Sequence, residues 1–274
     1  MRFLHPRWTS LVGALARADA DVYYQNCGEY TTGQVALWCR MQRRRFVYSV
    51  ASAPDCDPSL PLMHTWRERR LYRYGLLAAD SVVVQTQQQQ KMLHEGFGRS
   101  SAVIPMPCPD TAPHPLPTST STDRRFGHVL WIGRICRVKR PDRLLDVAAR
   151  CPHLSFHLVG PLEEGEYAQG IARQAAAIPN ITVHGPAPRD DVPRLYQEAA
   201  CVCCTSDVEG FPNTFLEAWS HGVPVVSTLD PDGLIAGRGL GLAVTPEGLT
   251  AALSHTAIYS DEWVAMSHRA RQYY

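Results

Sequence analysis

No apolar run in these 274 residues approaches the roughly eighteen that a membrane-crossing helix needs. The stretch "LVGALA" (11–16) is too short for the core of a secretory leader, and it runs into "RADAD" rather than a cleavage site. These absences predict a cytoplasmic protein whose membrane contact, if any, is peripheral and at the inner face. An excess of charge of one sign is missing too. The formal net charge is +1, which names no partner, and no nucleic acid is expected. Paired metal-ligand spacing is also absent. Nine cysteines scatter from Cys27 to Cys204, and "ACVCCTS" has no second CxxC or His pair to complete a ligand set. No metal is therefore expected. The run reads instead as a buried strand whose free thiols act as small hydrophobes.

What is present divides in two. Residues 1–125 hold 15 Lys and Arg against 10 Asp and Glu, a balance of +5; residues 126–274 hold 12 against 16, a balance of −4. The basic residues gather in "RMQRRRF" (40–46) and "RERRLYR" (67–73). Each cluster is either a solvated helix face or a dock for an anionic lipid or substrate. The charge changes where "PCPDTAPHPLPTSTSTDRR" (107–125), rich in Pro, Ser and Thr, reads as a linker. The expected division is a first domain over 1–108, a linker over 109–126 and a second domain over 127–274.

Short β-branched or aromatic runs at 21–25, 45–52, 81–86 and 101–106 alternate with helix-like segments near 31–43, 63–78 and 87–95. Beyond the linker, strands at 128–133, 154–160, 181–185, 201–206 and 224–228 alternate with helices at 141–150, 164–177, 190–199 and 214–221. Continuous apolar strands alternating with helices of this length predict an α/β fold with parallel sheets, doubly wound in the second domain. In such sheets ligands bind beyond the carboxyl ends of the strands, at helix N-termini.

Two patches fall at such ends. In "EGFPNTFLE" (209–217), Glu209 lies in the loop after the strand at 201–206. Asn213 or Thr214 is expected to cap the next helix, which Gly222 stops, and Glu217 sits in its early turns. Backbone N–H groups of Phe211 to Thr214 would favour an anion, while carboxylates on either side can each accept from neighbouring hydroxyls. In "WIGRICRVKRPD" (131–142), Gly133 allows close backbone approach, and Arg134 and Lys139 offer two cations to a diphosphate. Taken singly, each patch also reads as an ordinary loop.

Together they resemble the signature of retaining GT-B glycosyltransferases of family four, the group 1 glycosyltransferases. The resemblance rests on Gly133-Arg134 with Lys139, then on E-x7-E followed by A-x-x-x-G-x-P-V in "SDVEGFPNTFLEAWSHGVPVV" (206–226). It covers about 128–272 strongly, and reaches back more weakly through "ADSVVVQTQQQQKMLHEGFG" (79–98). It implies two Rossmann-type domains, the first on the acceptor side and incomplete, the second holding a nucleotide-diphosphate sugar. Arg134 and Lys139 would bind the diphosphate and steady the leaving group, Glu209 would contact the transferred sugar and Glu217 the ribose. Gly210, Phe211, Pro212, Asn213 and Thr214 would position sugar and phosphate, and Gly160 and Gly185 would shape the nucleobase pocket. Transfer to a glycan or lipid-linked acceptor would proceed with retention and without cofactor or bound metal, the two cations standing in for one.

The sequence departs from that pattern at both ends. "MRFLHPRWTSLVGALARADADVYYQ" supplies no opening strand with a glycine-rich loop, and "SHRARQYY" stops where the family continues. A chain truncated at both ends, weakly active by itself, is the expectation. A nucleotide-sugar epimerase on the same scaffold and a non-catalytic nucleotide-sugar-binding fragment are the alternatives. Asp55, Asp57 and His64 are acceptor-side candidates with no decisive signal.

Overall fold

The computed structural model describes residues 7–110, 127–254 and 260–274. The chain splits into two compact units, Met1–Met106 and Pro107–Tyr274. Most of the expected linker, 111–126, lies outside the described residues. Asp110 of that linker, and Cys108 at the end of the expected first domain, sit with the second unit: Arg271 grips Asp110 (3.0 Å), and Tyr274 O–H donates to the Cys108 carbonyl.

The first unit runs α1 (Arg7–Ala18), β1 (Val22–Asn26), α2 (Tyr30–Met41), β2 (Arg45–Ser49), α3 (Trp66–Ala78), β3 (Ser81–Val84), α4 (Gln87–Phe97) and β4 (Ala102–Val103). The helix α1 is missing from the expectations above, because "LVGALA" is weighed there only as a leader core. Its Leu11, Val12 and Leu15 pack on the unit's core. The strands pair in parallel in the order β1-β2-β3-β4. Parallel crossovers are right-handed, so consecutive strands laid side by side put α2, α3 and α4 on one sheet face. Tyr23, Phe46, Tyr48, Val82 and Val84 point into that layer and meet Trp38, Leu76 and Leu93. The alternate residues Val22 and Tyr24 remain exposed. A capping box starts α3, Thr65 Oγ1 accepting from Glu68 N–H while the Glu68 carboxylate accepts from Thr65 N–H. Helices α2 and α3 cross with backbones touching: a Cβ on Gly33 would lie 2.2 Å from the Leu71 carbonyl oxygen.

The second unit runs β5 (His128–Ile132), α5 (Pro141–Arg150), β6 (Phe156–Val159), α6 (Glu166–Ala176), β7 (Ile181–Gly185), α7 (Val192–Glu198), β8 (Ala199–Cys204), α8 (Asn213–Ser220), β9 (Val225–Ser227), α9 (Leu234–Arg238), β10 (Gly241–Ala243), α10 (Leu249–Ala252) and α11 (Asp261–Tyr273). All its strands are parallel, in the order β10-β9-β8-β5-β6-β7. Alternation sends Val129, Trp131, Cys201 and Cys203 into one core, and Leu130, Val202 and Cys204 into another. Both sheet faces are thus covered, as the unbroken apolar strands require. The cysteine-rich strand is buried at every position, and all its thiols are free. By contrast β7 is an edge strand, with Thr182, Val183 and His184 exposed.

Three imidazoles lie side by side across β5, β6 and β7. His128 and His157 stack with ring centres 3.6 Å apart, and His184 follows at 4.7 Å from His157. His128 is buried, and its Nε2 has no hydrogen-bond partner among the described residues. Burial, and then the neighbouring His157, push its pKa down to about 4, against a small opposing pull from Glu198. A histidine held neutral in the fold loses stability as pH falls, because the unfolded chain takes up a proton near its ordinary pKa and the folded chain does not. Stability should therefore decline between about pH 6.5 and pH 4, by roughly 1–3 kcal/mol. Melting temperatures across that window should fall for the wild type and fall less steeply for His128→Phe, where His157, also held low by burial and His184, still contributes. Equal slopes for the two proteins would remove His128 as the cause.

Candidate functional site

The strand order places β5 at the centre of the second sheet. From it the chain steps outward to β6 and β7, then returns to β8 on the other flank. The loops leaving the carboxyl ends of β5 and β8 therefore diverge from neighbouring strands, and the crevice between them is where doubly wound sheets bind ligands.

The loop after β5 is fixed from below. Buried Ile135 and Cys136 anchor it, and Ile135 N–H donates to the Pro161 carbonyl at 2.9 Å. It then tightens into a short 3-10 turn over Arg137–Lys139, and Pro141 opens α5. The loop after β8 is tied to it by several bonds. Trp131 Nε1–H donates to Thr205 Oγ1 (2.8 Å), which donates to the Lys139 carbonyl (2.8 Å). Asp207 N–H donates to the Val138 carbonyl at 2.9 Å. The Asp207 carboxylate draws in Arg143 (2.7 Å) and Arg140 (3.3 Å).

This scaffold brings Lys139 and Glu209 together from 70 residues apart in sequence. Their ammonium and carboxylate form an ion pair, and Ser206 Oγ–H donates to the same Glu209 oxygen at 2.7 Å. The pair is largely sheltered, with 28% of the Lys139 side chain and 14% of the Glu209 side chain exposed. Sheltered charges interact more strongly than surface ones.

Next comes the start of α8, where the expected cap is corrected. Neither Asn213 nor Thr214 caps the helix: Asn213 is already its first residue, and Pro212 holds the cap position and makes no side-chain cap hydrogen bond. Proline has no side-chain acceptor to offer, so the first turn keeps its donors for something else. Phe211 braces the loop against Phe215 and Trp219, with ring centres 6.4 and 6.2 Å away. Gly210 lies between this brace and Glu209.

Glu217 is one turn further on, and it is not alone. Its Oε2 accepts from the buried Tyr196 O–H at 2.5 Å. Burial, and then the Glu217 charge, raise the Tyr196 pKa well above that of a free phenol, so it stays a donor. Arg134 stands apart from the Lys139–Glu209 pair. Its side chain is 63% exposed, and its partner is Glu163 at 3.8 Å in the loop after β6. Gly133 and Gly160 lie against one another, and Gly160 N–H donates to the Gly185 carbonyl at 2.8 Å.

Residues 127–258 match the family described as "Glycosyl transferases group 1". The same segment contains every residue that the resemblance assigns to donor binding. Among curated relatives, the O-antigen biosynthesis glycosyltransferase WbnH of Escherichia coli is 33% identical over 117 residues, covering 41% of this chain and 32% of the relative. A D-inositol 3-phosphate glycosyltransferase of Mycolicibacterium gilvum is 30% identical over 201 residues, covering 65% of this chain and 41% of the relative. The chain thus spans well under half the length of these two relatives. Among solved structures, Anabaena Alr3699/HepE in complex with UDP and glucose superposes with a TM-score of 0.77 at 19% identity, over 98% of this chain and 76% of that one. At that identity the likeness speaks for the fold, an α/β fold of GT-B type with parallel sheets.

Several participants in the group 1 segment escaped the sequence reading. Ser206, Asp207, Arg140 and Arg143 orient the Lys139–Glu209 pair, and Tyr196 holds Glu217. A signal existed for Arg140 and Asp207, which flank the two motifs directly. None existed for Tyr196, whose approach depends on how α7 packs. Of the three acceptor-side candidates, Asp55 is buried in a 3-10 turn, accepts from Ser52 Oγ (3.3 Å), and is pushed up to about 6 by burial. Asp57 accepts from Ser59 N–H at 2.8 Å, and exposed His64 donates its N–H to Glu68. All three are accounted for by local turns.

Proposed function

We propose that this chain is a glycosyltransferase acting on a nucleotide-diphosphate sugar, transferring the sugar to a glycan or lipid-linked acceptor with retention of anomeric configuration. The observation that carries the reading is the meeting of Lys139, Glu209 and the uncapped start of α8 at the switch point between β5 and β8. A diphosphate laid across that crevice would face the ammonium of Lys139 and the N–H groups opening α8, and exposed Arg134, in the loop after β5, would turn from Glu163 to meet it. As the bond from sugar to phosphate breaks, negative charge grows on the leaving nucleoside diphosphate. Fixed donors aimed at that charge stabilise the transition state more than the ground state. Once Arg134 joins Lys139 on the diphosphate, the two cations would do the work of a bound metal. Glu209 accepts from sugar hydroxyls, and Glu217, oriented by Tyr196, from the ribose. The UDP complex of the Anabaena neighbour supports a uridine donor, and the O-antigen relative supports a cell-surface glycan as product.

Incubation with labelled UDP- and GDP-sugars and a glycan or lipid acceptor tests the reading. Label should move to the acceptor; an isomerised donor, or donor retained without turnover, would overturn it. Glu209→Gln sharpens the test. It keeps the size and removes the charge, so transfer should drop by about a hundredfold or more while UDP or GDP affinity changes less than about threefold. Parallel losses in turnover and in affinity for bare nucleotide would remove Glu209 from the sugar.

A further inference from the structure

Exposed apolar and basic side chains share one surface of the first unit. Along α3, Trp66, Arg70, Arg73 and Leu77 recur at helical spacing and all face outward. Trp66 is 63% exposed, an unusual position for the largest apolar side chain. Guanidinium groups bracket it, those of Arg67 and Arg70 lying 5.4 and 5.9 Å from its ring centre. On α2, Leu37, Arg40 and Met41 form a second outward stripe, and Met41 is 69% exposed. Both helices lie in the same layer over the sheet and touch at Gly33. The opposite sides of both are buried, with Trp38, Cys39, Tyr72 and Leu76 in the core.

Acidic residues are nearly missing from this surface. No Asp or Glu occurs from Tyr30 through Pro54, and α3 holds Glu68 alone. That carboxylate is turned back onto its own helix start, where it accepts from His64 and Thr65 N–H.

We infer that the outward face of α2 and α3 docks on a membrane surface carrying anionic lipid. Arginines interleaved with Leu, Met and Trp match a headgroup layer over acyl chains: the cations stay with phosphate while apolar side chains enter the boundary and the indole rests at the interface. A polyanion such as nucleic acid would use the arginines and leave Leu37, Met41 and Leu77 in water. The face lies wholly in the first unit, and none of its residues belongs to the crevice of the second. Docking and donor binding therefore fail independently.

The full chain should co-sediment with vesicles of phosphatidylcholine mixed with phosphatidylglycerol, bind phosphatidylcholine alone far more weakly, and lose binding as salt rises. Arg67→Glu with Arg70→Glu should cut partitioning by at least about tenfold, since each cation near an anionic surface contributes about a fivefold preference. Trp66→Ala should weaken binding and remove any blue shift of tryptophan emission on adding vesicles. Reversing Arg150 and Arg173, exposed on α5 and α6, should leave partitioning unchanged. Nucleotide affinity and melting temperature serve as folding controls for each variant. Equal binding to both vesicle types, undiminished binding by the α3 variants, an equal loss from the α5–α6 pair, or competition by RNA without vesicle binding would each overturn the proposal.

Discussion

Replacing Lys139 with alanine should lower the affinity for UDP or GDP by about tenfold to a hundredfold, the loss of a charged hydrogen bond worth about 1.5–3 kcal/mol. The figure follows from how little freedom the ammonium has. Its backbone is tied through the Thr205 hydroxyl and the Asp207 amide, and its tip is held by Glu209, so its position is set before a ligand arrives. Removing it has a second consequence. Glu209, with only 14% of its side chain exposed, would face the crevice without a counter-charge and repel a diphosphate. Arg134→Ala should cost less, nearer the lower end of that range, because its guanidinium is mostly in water and must be ordered on binding. Calorimetric titration with UDP and GDP at two salt concentrations separates the two. The Arg134 effect should shrink with salt, and the Lys139 effect should persist. Combining Lys139→Ala with Glu209→Gln should recover part of the lost affinity, since the stranded carboxylate is then gone. If neither single change alters nucleotide affinity, the diphosphate does not sit at this crevice.

How much of this was legible in the sequence depended on the distance over which each signal acts. The parallel architecture was readable because a strand buried on both faces must be apolar throughout, and "CVCC" and "HVLWI" are. That Glu209 follows a strand and precedes a helix was equally local. The helix cap was misjudged because Asn and Thr are good cappers in general, while here proline takes the position and shifts the helix start to Asn213. The pairing of Lys139 with Glu209 could not be read, since β5 and β8 become neighbours only when the chain returns across the sheet from β7. The same holds for Tyr196 and Glu217, brought together by the packing of α7 beside α8. The cationic clusters were visible from the start, but only the burial of the opposite helix faces separates a continuous docking surface from scattered solvated charge.

Gly160→Ala should be among the most damaging single changes in the second unit, costing more than about 3 kcal/mol and lowering its melting temperature by roughly 10 °C. The resemblance assigns Gly160 to the shape of a nucleobase pocket, but its backbone explains the residue before any ligand is considered. Its φ is +142°, in a region that side-chain-bearing residues rarely adopt, and a Cβ there would stand 1.8 Å from the Gly133 carbonyl oxygen. That oxygen belongs to rigid backbone, held where Gly133 N–H donates to Val159 and Ile135 N–H donates to Pro161. Relief requires the β5 and β6 loops to part, and Arg134 and Lys139 ride on the first of them. Nucleotide binding should therefore fall with stability rather than after it. Gly185 supplies the control. Its φ is +67°, yet nothing lies within 4 Å of a Cβ built there, so Gly185→Ala carries only conformational strain of about 1–2 kcal/mol. A Gly160→Ala protein that melts with the wild type would mean that the two loops are not locked together. The cation pair would then have no fixed frame from which to meet a phosphate.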